Sequence, residues 1–542
     1  MLRQITNYID RKAKYMFILL IVLIFIGSLF SLFPIRLIEA IVNLAQFDAA
    51  YNINQIILFG LLYLLCYAVG TFANSLVSYI SAYLQTDLGM KIQNRLYTKL
   101  LKVRLMDLQG SNSIEITNTL IEDTEFVSNN LVVPTSKIFS AIVSFIIALF
   151  FMLNISWQLT LIVLPFGLIT SITARIIYKK SMDNISEKRN KSNELWKIFT
   201  EGIRGIIPMR IYKYDSIYAS IVKNSSAEMK KVSLAQEKLS ALSMFFVTFL
   251  FMTSIGIILI FSSVFVVQGV MSIGSLTAVL MFNHMLIDPL IDVLNIQSDI
   301  IRLNVSLKRI NKLFTFSNDE NIDKQVVKVD KVAFENMSFS YNNEDLVCKN
   351  VNLSIQAPCN IWIRGESGAG KTTLANIIAG LYQPTSGKIK YFNKGKEVEG
   401  IPKVSYLIQD GYLFDKSIVD NIKLANPNIS DEEITLIINI SYLEDVLTVH
   451  GSSPIGENGS HLSGGEKKRV RIAQMLANTT ADILIIDELT SSLDEELALK
   501  IIRKIFDLKL DKICLFVEHN TKISSFFDKV IIVKGNGSVI GE

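Results

Sequence analysis

The stretch Gly365-Glu366-Ser367-Gly368-Ala369-Gly370-Lys371-Thr372 decides the fold of the second half of this chain. Its spacing, a glycine, four residues and then Gly-Lys-Thr, is typical of a loop that wraps nucleotide phosphates. Glycines allow backbone N–H groups to converge on an anion, the following helix directs its positive end at it, and the lysine adds a full charge. The motif therefore predicts a nucleoside triphosphate site, with a threonine hydroxyl available to Mg²⁺.

The residues on either side of this loop have the order that such a site requires. Asn360–Ile363 has the pattern of a short apolar strand that runs into the loop, and Thr373–Ala379 has the pattern of a helix that leaves it. A glycine-rich turn matches the same spacing by accident in roughly one or two of a hundred chains of this length. The strand, loop and helix together favour a phosphate-binding loop.

Length and composition indicate more than one domain and a membrane-embedded part. The chain has 542 residues, of which 50% are hydrophobic and 19% charged. Its net charge of +4 gives no general case for nucleic-acid binding, and none is expected. The 4 cysteines lack metal-ligand spacing, so they are expected to be buried free thiols in a reducing compartment.

Six apolar stretches in the first half predict membrane-spanning helices, because about twenty such residues cross a bilayer. The first is too long for a signal peptide and lacks a small-residue cleavage site. The third and fourth stretches, and the fifth and sixth, are separated by short turns and predict tight hairpins. The predicted transmembrane domain covers 1–315, with spans at about 16–36, 56–84, 135–154, 157–177, 241–268 and 270–290.

The distribution of lysine and arginine predicts the orientation of these spans. The segment Asn43–Asn54 and both hairpin turns contain neither residue, whereas the amino terminus, Gln85–Lys137 and Arg175–Lys238 are rich in them. The positive-inside bias therefore predicts that both termini and the phosphate loop are cytoplasmic. Helical periodicity in the two long segments predicts helices that extend tens of ångströms beyond the membrane, with solvated loops as the alternative.

The second half has the pattern of an α/β domain over 332–542, after a polar linker at 316–331. Ile483–Glu488 is an apolar run that ends in two carboxylates. This is the pattern of a buried strand whose end presents an aspartate to Mg²⁺ and a second acid to a water. Such a strand end is usually structural, and it becomes informative because a phosphate loop lies upstream.

Between these two motifs lies the segment Leu462-Ser-Gly-Gly-Glu466, here called the signature segment. Together with the phosphate loop and the Ile483–Glu488 run, this segment makes nearly the whole chain resemble an ATP-binding cassette transporter. The same order of motifs continues in Phe339-Ser-Tyr341, Gln409 in Leu-Ile-Gln-Asp, Ser491–Asp494, and His519 in Val-Glu-His. The membrane half resembles the six-helix exporter type, in which Ser-Trp-Gln-Leu-Thr-Leu opens the fourth span.

Two residues depart from the family pattern. Glu466 stands where the family more often has glutamine, and Glu518 precedes His519 where a small or polar residue is common. The adjacent Lys467–Arg469 run is expected to offset the charge of Glu466.

The resemblance implies a role for each motif. Glu488 would orient the attacking water and His519 would contact the γ-phosphate, which makes these two the implied catalytic residues. The implied cofactors are ATP and Mg²⁺, with Thr372, Gln409 and Asp487 around the metal. The implied ATP-binding residues are Tyr341, Gly365, Glu366, Ser367, Gly368, Ala369, Gly370, Lys371, Thr372, Thr373, Gln409, Ser463, Gly464, Gly465 and Asp494.

The resemblance also implies a dimer, because each ATP would lie between the phosphate loop of one cassette and the signature segment of another. Lys371, Ser463, Glu488 and His519 are all present, so a homodimer is the default. A heterodimer with a related half-transporter stays open. The helices that couple the two domains are expected near Ser111–Glu115 and Tyr212–Ile217.

Polar residues in the last span are the substrate candidates. His284, Asp288 and Asp292 recur every four residues and therefore share one helix face near the inner membrane boundary, with Asn283 adjacent. Ionisable residues at membrane depth usually face an aqueous cavity or a partner, which would suit a role toward cargo or protons. Packing against polar neighbours or against the cytoplasmic interface is the alternative. At the end of the first span, Arg36 and Glu39 are expected to form a structural pair.

The sequence therefore predicts a multi-domain membrane protein, an all-α six-helix transmembrane domain followed by an α/β P-loop nucleotide-binding domain. The predicted function is ATP-driven export of an amphipathic peptide, lipid or drug across a bacterial plasma membrane. The alternatives are an importer of a metal chelate on the same architecture, and an ATP-gated channel or sensor.

Overall fold

The computed structural model describes residues 10–46, 49–109, 113–341, 345–508, 511–518 and 521–541. The chain divides into two compact units. The first unit comprises Met1–Thr98 and Ile114–Thr315, and the second comprises Lys99–Ser113 and Phe316–Glu542. The short segment Lys99–Ser113 thus belongs to the second unit, although in the sequence it lies between two long helices of the first.

The described part of the first half is helical almost throughout. Five stretches there are long and apolar enough to cross a membrane, namely Arg11–Gln46, Ile53–Leu100, Glu115–Ile155, Trp157–Ile177 and Asp215–Val267. A shorter apolar stretch, Ile273–Ile287, opens the last helix, and the side chains of 288–302 lie outside the described residues. The sixth span therefore stays a prediction. The helices are α1 (Arg11–Gln46), α2 (Ala49–Leu100), α3 (Leu105–Gln109), α4 (Ser113–Asn118), a π-helical turn (Thr119–Asp123), α5 (Thr124–Ile155), α6 (Trp157–Arg204), α7 (Ile206–Ile211), α8 (Asp215–Val267) and α9 (Ile273–Phe314).

Two serines end the predicted hairpin turns by capping the next helix. Ser156 is extended, with φ −158° and ψ 109°, and its hydroxyl accepts a hydrogen bond from the Leu159 N–H at 3.3 Å. Ser272 caps α9 in the same way through the Ser275 N–H at 3.0 Å. Serine is a preferred N-cap because its oxygen satisfies a helix N–H that lacks an intrahelical partner. Both predicted hairpins are therefore present.

The first unit packs its long helices around two apolar cores. One core joins Leu159 of α6, Ile258 of α8 and Phe282 of α9, all with 0% exposure. Polar contacts also join its helices. The hydroxyl of Ser275 donates to Glu39 at 2.6 Å, and Arg36 binds the same carboxylate at 2.5 Å, which is the predicted structural pair.

The second unit is an α/β domain with two main sheets, as predicted. Five parallel strands and antiparallel β12 form the larger sheet in the order β12-β11-β4-β10-β9-β8, and an antiparallel sheet has the order β3-β2-β5-β6. The strands are β1 (Val326–Val327), β2 (Lys331–Ser340), β3 (Leu346–Gln356), β4 (Cys359–Arg364), β5 (Ser386–Asn393), β6 (Lys396–Val398), β7 (Ile401–Pro402), β8 (Val404–Leu407), β9 (Ile483–Asp487), β10 (Ile513–Val517), β11 (Lys529–Val533) and β12 (Val539–Gly541). The α-helices of this half are α10 (Lys371–Ile378), α11 (Ile418–Lys423), α12 (Asp431–Ile440), α13 (Glu444–His450), α14 (Gly464–Ala477) and α15 (Glu495–Asp507).

The register of the larger sheet brings the predicted motifs to one edge. Val517 at the end of β10 pairs with Ile363 of β4 on one side and with Asp487 of β9 on the other. Because these strands are parallel, their carboxyl ends lie at the same edge, where ligands bind in open α/β sheets. The phosphate loop and the two carboxylates are therefore neighbours.

The four cysteines are buried free thiols, as predicted. In the second unit, burial raises the pKa of Cys348 to about 11 and that of Cys514 to about 12. These thiols pack as small apolar side chains in the core.

Candidate nucleotide-binding site

Two glycines of the phosphate loop have backbone positions that a larger residue would disturb. A Cβ on Gly365, at φ +154°, would lie 2.2 Å from the Val533 carbonyl oxygen. Gly370, at φ +102°, is the N-cap of α10, and a Cβ there would lie 2.6 Å from Val347 Cγ1. Glycine is needed because it alone tolerates such conformations and close contacts. The loop is therefore held tightly between its neighbouring strands.

The ammonium group of Lys371 lies against the loop itself. Nζ donates to the carbonyl oxygens of Gly365 at 3.0 Å and Glu366 at 2.9 Å, and the residue is 7% exposed. Lys371 is also the first residue of α10, where unpaired N–H groups and the helix dipole favour an anion. A full charge and a helix N-terminus are thus combined at one place, which fits a phosphate group.

Thr372 and Asp487 are brought into direct contact. The threonine hydroxyl donates to Asp487 Oδ2 at 2.8 Å, and Asp487 is 1% exposed at the end of β9. Burial raises the pKa of the Asp487 carboxyl, and the hydrogen bond from Thr372 opposes that shift. Hydroxyl and carboxylate oxygens are the donors that Mg²⁺ accepts, usually with substrate phosphates and waters. The pair therefore fits a magnesium ion that arrives with a nucleotide.

Within the described residues, no cluster of three or more His, Cys, Asp and Glu side chains is arranged to hold a metal alone.

Glu488 and Gln409 are also brought together by the fold. Gln409 Nε2 donates to Glu488 Oε2 at 2.7 Å. Glu488 has a positive φ of 51°, and its N–H donates to the Val517 carbonyl at 2.9 Å, so its backbone is tied to β10. A non-glycine residue in this conformation is uncommon and often marks a functional site. Its half-buried carboxylate lies directly after Asp487, as the sequence predicts.

Tyr341 lies beside the start of α10. Its hydroxyl is 2.9 Å from Thr373 Oγ1, and its ring packs edge-on to Phe339 and Tyr382 at centroid distances of 5.1 and 5.8 Å. The residue is 46% exposed, so part of its ring faces solvent. An aromatic ring held at its edges but open elsewhere can stack on a nucleotide base.

The signature segment begins a helix through a capping box. Ser463 is the N-cap of α14 and accepts from the Glu466 N–H at 3.3 Å, while Glu466 Oε2 accepts from the Ser463 N–H at 2.7 Å. The Ser463 backbone N–H is the largest cause of a lowered pKa at Glu466, followed by the Ser463 side chain. A carboxylate in the first turn is stabilised by the helix dipole. This accounts for glutamate at a position where the family more often has glutamine.

Asp494, a predicted ATP-binding residue, is the N-cap of α15. Its carboxylate accepts from the Glu496 N–H at 3.2 Å. A role toward ATP stays a prediction for this residue.

The candidate residues of the last span have different surroundings. Asn283 has 0% exposure, its Nδ2 donates to Ser254 Oγ at 3.2 Å, and its Oδ1 is buried without a hydrogen-bond partner. His284 is exposed and packs edge-on to Phe251 at 5.3 Å. The side chains of Asp288 and Asp292 lie outside the described residues, as does all of His519.

Sequence reasoning missed two buried charges close to the site, Lys468 and Glu518. The sequence predicts that Lys468 helps to offset the charge of Glu466, but in the structure this residue is 3% exposed. Burial lowers its pKa, and the negative charge of Glu518 opposes the shift. Burial likewise raises the pKa of Glu518, and hydrogen bonds from Thr490 oppose that shift. The spacing of Lys468 to the buried Ile472, one helical turn later, was the available signal.

Comparisons with known proteins agree with this geometry. The family model described as "ABC transporter transmembrane region" matches residues 15–290, and the one described as "ABC transporter" matches 348–491. The Lactococcin-G-processing and transport ATP-binding protein of Lactococcus lactis subsp. lactis is 28% identical over 407 residues, which cover 71% of this chain and 55% of that relative. The ATP-dependent lipid A-core flippase of Wigglesworthia glossinidia brevipalpis is 25% identical over 482 residues, which cover 85% of this chain and 81% of that relative.

A solved structure, described as a bacterial Atm1-family ABC exporter with ATP bound, has the same fold. Its TM-score is 0.80 at 18% identity, and the match covers 98% of this chain and 95% of that one.

A helical membrane part followed by a phosphate-loop domain with a signature segment defines an ATP-driven membrane transporter. The chain belongs to the ATP-binding cassette transporter family. The predicted family, the predicted fold class and ATP hydrolysis coupled to transport are confirmed.

Proposed function

We propose that two copies of this chain form an exporter that binds ATP at their shared cytoplasmic face and moves an amphipathic molecule out of the cell. One observation carries the ATP chemistry. Thr372 of the phosphate loop contacts Asp487 at 2.8 Å, and Gln409 contacts Glu488 at 2.7 Å. These contacts gather separate parts of the sequence at the carboxyl edge of one sheet.

Each group at this edge has a chemical task. Lys371 and the N-terminus of α10 would bind the β- and γ-phosphates. Thr372, Asp487 and the Gln409 side chain would hold Mg²⁺, which supplies positive charge to the phosphate oxygens when bound. Glu488 would orient the attacking water, and Tyr341 would stack on adenine. His519 would contact the γ-phosphate.

The position of the signature segment supports the proposed dimer. Ser463, Gly464 and Gly465 begin α14, whose N-terminus suits a phosphate. We assign this anion site to the ATP of the partner subunit, as the family resemblance implies. Each subunit would then complete the other's site, which favours a homodimer with two identical sites.

Two segments are suited to transmit the closure of the dimer. In the first unit, the short helix α7 and the turn after it connect α6 to α8. This connection is apolar and exposed, because Ile207 and Ile211 are each 68% exposed and Tyr212 is 79% exposed. Within the second unit, Arg104 N–H donates to the Ser317 carbonyl at 3.1 Å, which fastens the segment Lys99–Ser113 to the start of the linker. Both segments lie at or next to the predicted coupling positions, and residues 110–112 are outside the described ranges.

The cargo is proposed to be an amphipathic peptide or lipid. One relative is named for the processing and transport of lactococcin G, and the other is named a lipid A-core flippase. In the first unit, Asn283 offers an unpaired buried amide oxygen at membrane depth, as a polar contact for such a cargo. His284 and Asp288 are further substrate candidates. The protein would lie in the plasma membrane with both termini in the cytoplasm.

Transport by inside-out vesicles tests this function. Purified protein is reconstituted in lipid vesicles with the ATP sites outward, and panels of fluorescent peptides and lipids are added with Mg-ATP. We expect accumulation of one amphipathic class, and none with Glu488→Gln. Accumulation only in vesicles of the opposite orientation would show import instead. ATP turnover without any flux would contradict transport.

A further inference from the structure

Two buried charges of the second unit have no task in the ATP chemistry described above. Lys468 lies on α14 and is 3% exposed, and Glu518 follows β10 and is 2% exposed. Charged side chains are almost never fully buried unless they are paired, because removal from water costs several kcal/mol for each ion. Their burial beside the site therefore requires compensating interactions.

The segment Glu488–Ser491 directly follows β9, and we call it the exit loop. Lys468 contacts the residue just before this loop and the last residue of the loop. The Lys468 ammonium donates to the Asp487 carbonyl at 3.5 Å and to Ser491 Oγ at 3.4 Å. Ser491 Oγ in turn donates to the Glu488 carbonyl at 2.8 Å. A single cation thus holds the beginning and the end of the exit loop.

Glu518 binds the middle of the same loop. Its two carboxylate oxygens accept from the Thr490 N–H at 3.0 Å and from the Thr490 hydroxyl at 2.7 Å. Its own carbonyl accepts from the Trp362 ring N–H at 2.9 Å, which fixes the backbone directly before His519. Hydrogen bonds to a charged acceptor are the stronger ones.

The exit loop needs such support because of the conformation of Glu488. A φ of +51° at a non-glycine residue costs energy and persists only where the surroundings impose it. We propose that Lys468 and Glu518 are positioning residues that hold the exit loop together, so that the Glu488 carboxylate stays directed at the attacking water. This inference rests on the proposed role of Glu488.

The two charges act as a pair through the loop. Neither a hydrogen bond nor an ion pair joins Lys468 directly to Glu518, both of which belong to the described residues. Coulomb interaction nevertheless extends further in a buried region than in water. Removal of one charge leaves the other uncompensated, whereas removal of both does not. The pair can therefore be tested with a double variant.

The experiment measures ATP hydrolysis by the full-length protein in lipid. The variants are Lys468→Gln, Glu518→Gln and the double substitution, since glutamine keeps a hydrogen-bonding group without charge. We expect each single variant to lower kcat about tenfold per folded ATP-binding site, with the Kd for ATP changed less than about twofold, and the double variant to recover to within about threefold of wild type. A purely structural role would change the folded fraction but not kcat per site.

A matched control uses the exposed pair Lys500 and Glu496, which are joined at 2.7 Å on α15. The same glutamine substitutions there are expected to leave kcat unchanged.

Wild-type kcat in the single variants of Lys468 and Glu518 would overturn the proposal. A double variant whose loss of kcat equals the product of the two single losses would also overturn it. If a single variant does not fold, the double variant decides alone, because recovered kcat supports the pair and low kcat contradicts it. Glu488→Gln in the same assay separates this outcome from a failure of the proposed function, since only that failure would leave Glu488→Gln active.

Discussion

The hydroxyl of Thr372 donates to the carboxylate of Asp487 across 2.8 Å, so the first turn of α10 is joined to the end of β9. The contact joins the phosphate loop to the buried acid that follows a different strand. It places two oxygen donors at the point where a nucleotide-bound Mg²⁺ is proposed to lie.

Substitution Thr372→Val is expected to weaken the Mg²⁺-dependent part of ATP binding about tenfold, because one oxygen donor and the hydrogen bond to buried Asp487 are lost. ATP binding measured with a chelator present should stay unchanged. Titration of a fluorescent ATP analogue with and without Mg²⁺ checks this. Thr435→Val is the control, since this exposed threonine donates its hydroxyl to the Asp431 carbonyl within its own helix. Equal losses with and without Mg²⁺ would contradict a role toward the metal.

Lys371 and Glu488 are expected to separate binding from turnover. Lys371→Ala removes a charge from the phosphate loop, so the Kd for ATP should rise about tenfold to a hundredfold. Glu488→Gln keeps the loop intact, so ATP should still bind while kcat falls by about a hundredfold or more. Binding and hydrolysis measured on the same preparations check both results. Wild-type turnover in Glu488→Gln would refute its role as the residue that orients water.

Local motifs were predictable from the sequence, and contacts between distant segments were not. The phosphate loop and the Ser156 turn depend on neighbouring residues, so spacing and capping rules predict them. The position of Lys468 depends on how α14 packs against β9, and a run of three basic residues conceals it. The assignment of Lys99–Ser113 to the second unit depends equally on long-range contacts.

The capping role of Glu466 was predictable from local sequence, but the sequence analysis did not predict it. Ser463 followed by Glu466 is a capping-box pattern, so the hydrogen bonds seen in the structure were available from spacing alone. The family's preference for glutamine at this position concerns only the charge of Glu466 and does not indicate its capping role.

Gly365→Ala is expected to destabilise the protein more than Gly368→Ala. Both glycines have positive φ, which costs an alanine about 1 to 2 kcal/mol. The Cβ of alanine at position 365 would also lie 2.2 Å from the Val533 carbonyl oxygen, whereas a Cβ at position 368 would have nothing within 4 Å. Thermal unfolding of both full-length variants checks the order, with the lower midpoint expected for Gly365→Ala. Equal midpoints would show that the loop moves away from β11 without cost.

Glu466→Gln is expected to lower stability by less than about 1 kcal/mol at neutral pH, because glutamine keeps the capping geometry. It loses the charge that strengthens the hydrogen bonds with Ser463 and interacts with the helix dipole. The folded-state pKa of Glu466 is lowered, so the contribution of its charge is present above the ordinary value of 4.5 and is lost as the pH falls through the folded pKa. The difference in midpoint between wild type and variant should therefore disappear in acid. Thermal unfolding of both proteins at several pH values from about 3 to 7 measures this difference. A difference that grows in acid would contradict the capping role.

Cys348 is expected to resist alkylation in the folded protein. Burial raises the pKa of its thiol from 9.0 to about 11, so at pH 8 the reactive thiolate is roughly a hundredfold scarcer than in the unfolded chain. The folded state then binds the proton more tightly, and stability falls as the pH rises from about 9 toward 11, because only the unfolded thiol ionises in that range. Site-resolved mass spectrometry after treatment with iodoacetamide, with and without denaturant, checks the reactivity. Cys348→Ala should remove its share of the pH dependence, and rapid labelling of Cys348 in the native protein would contradict its place in the core.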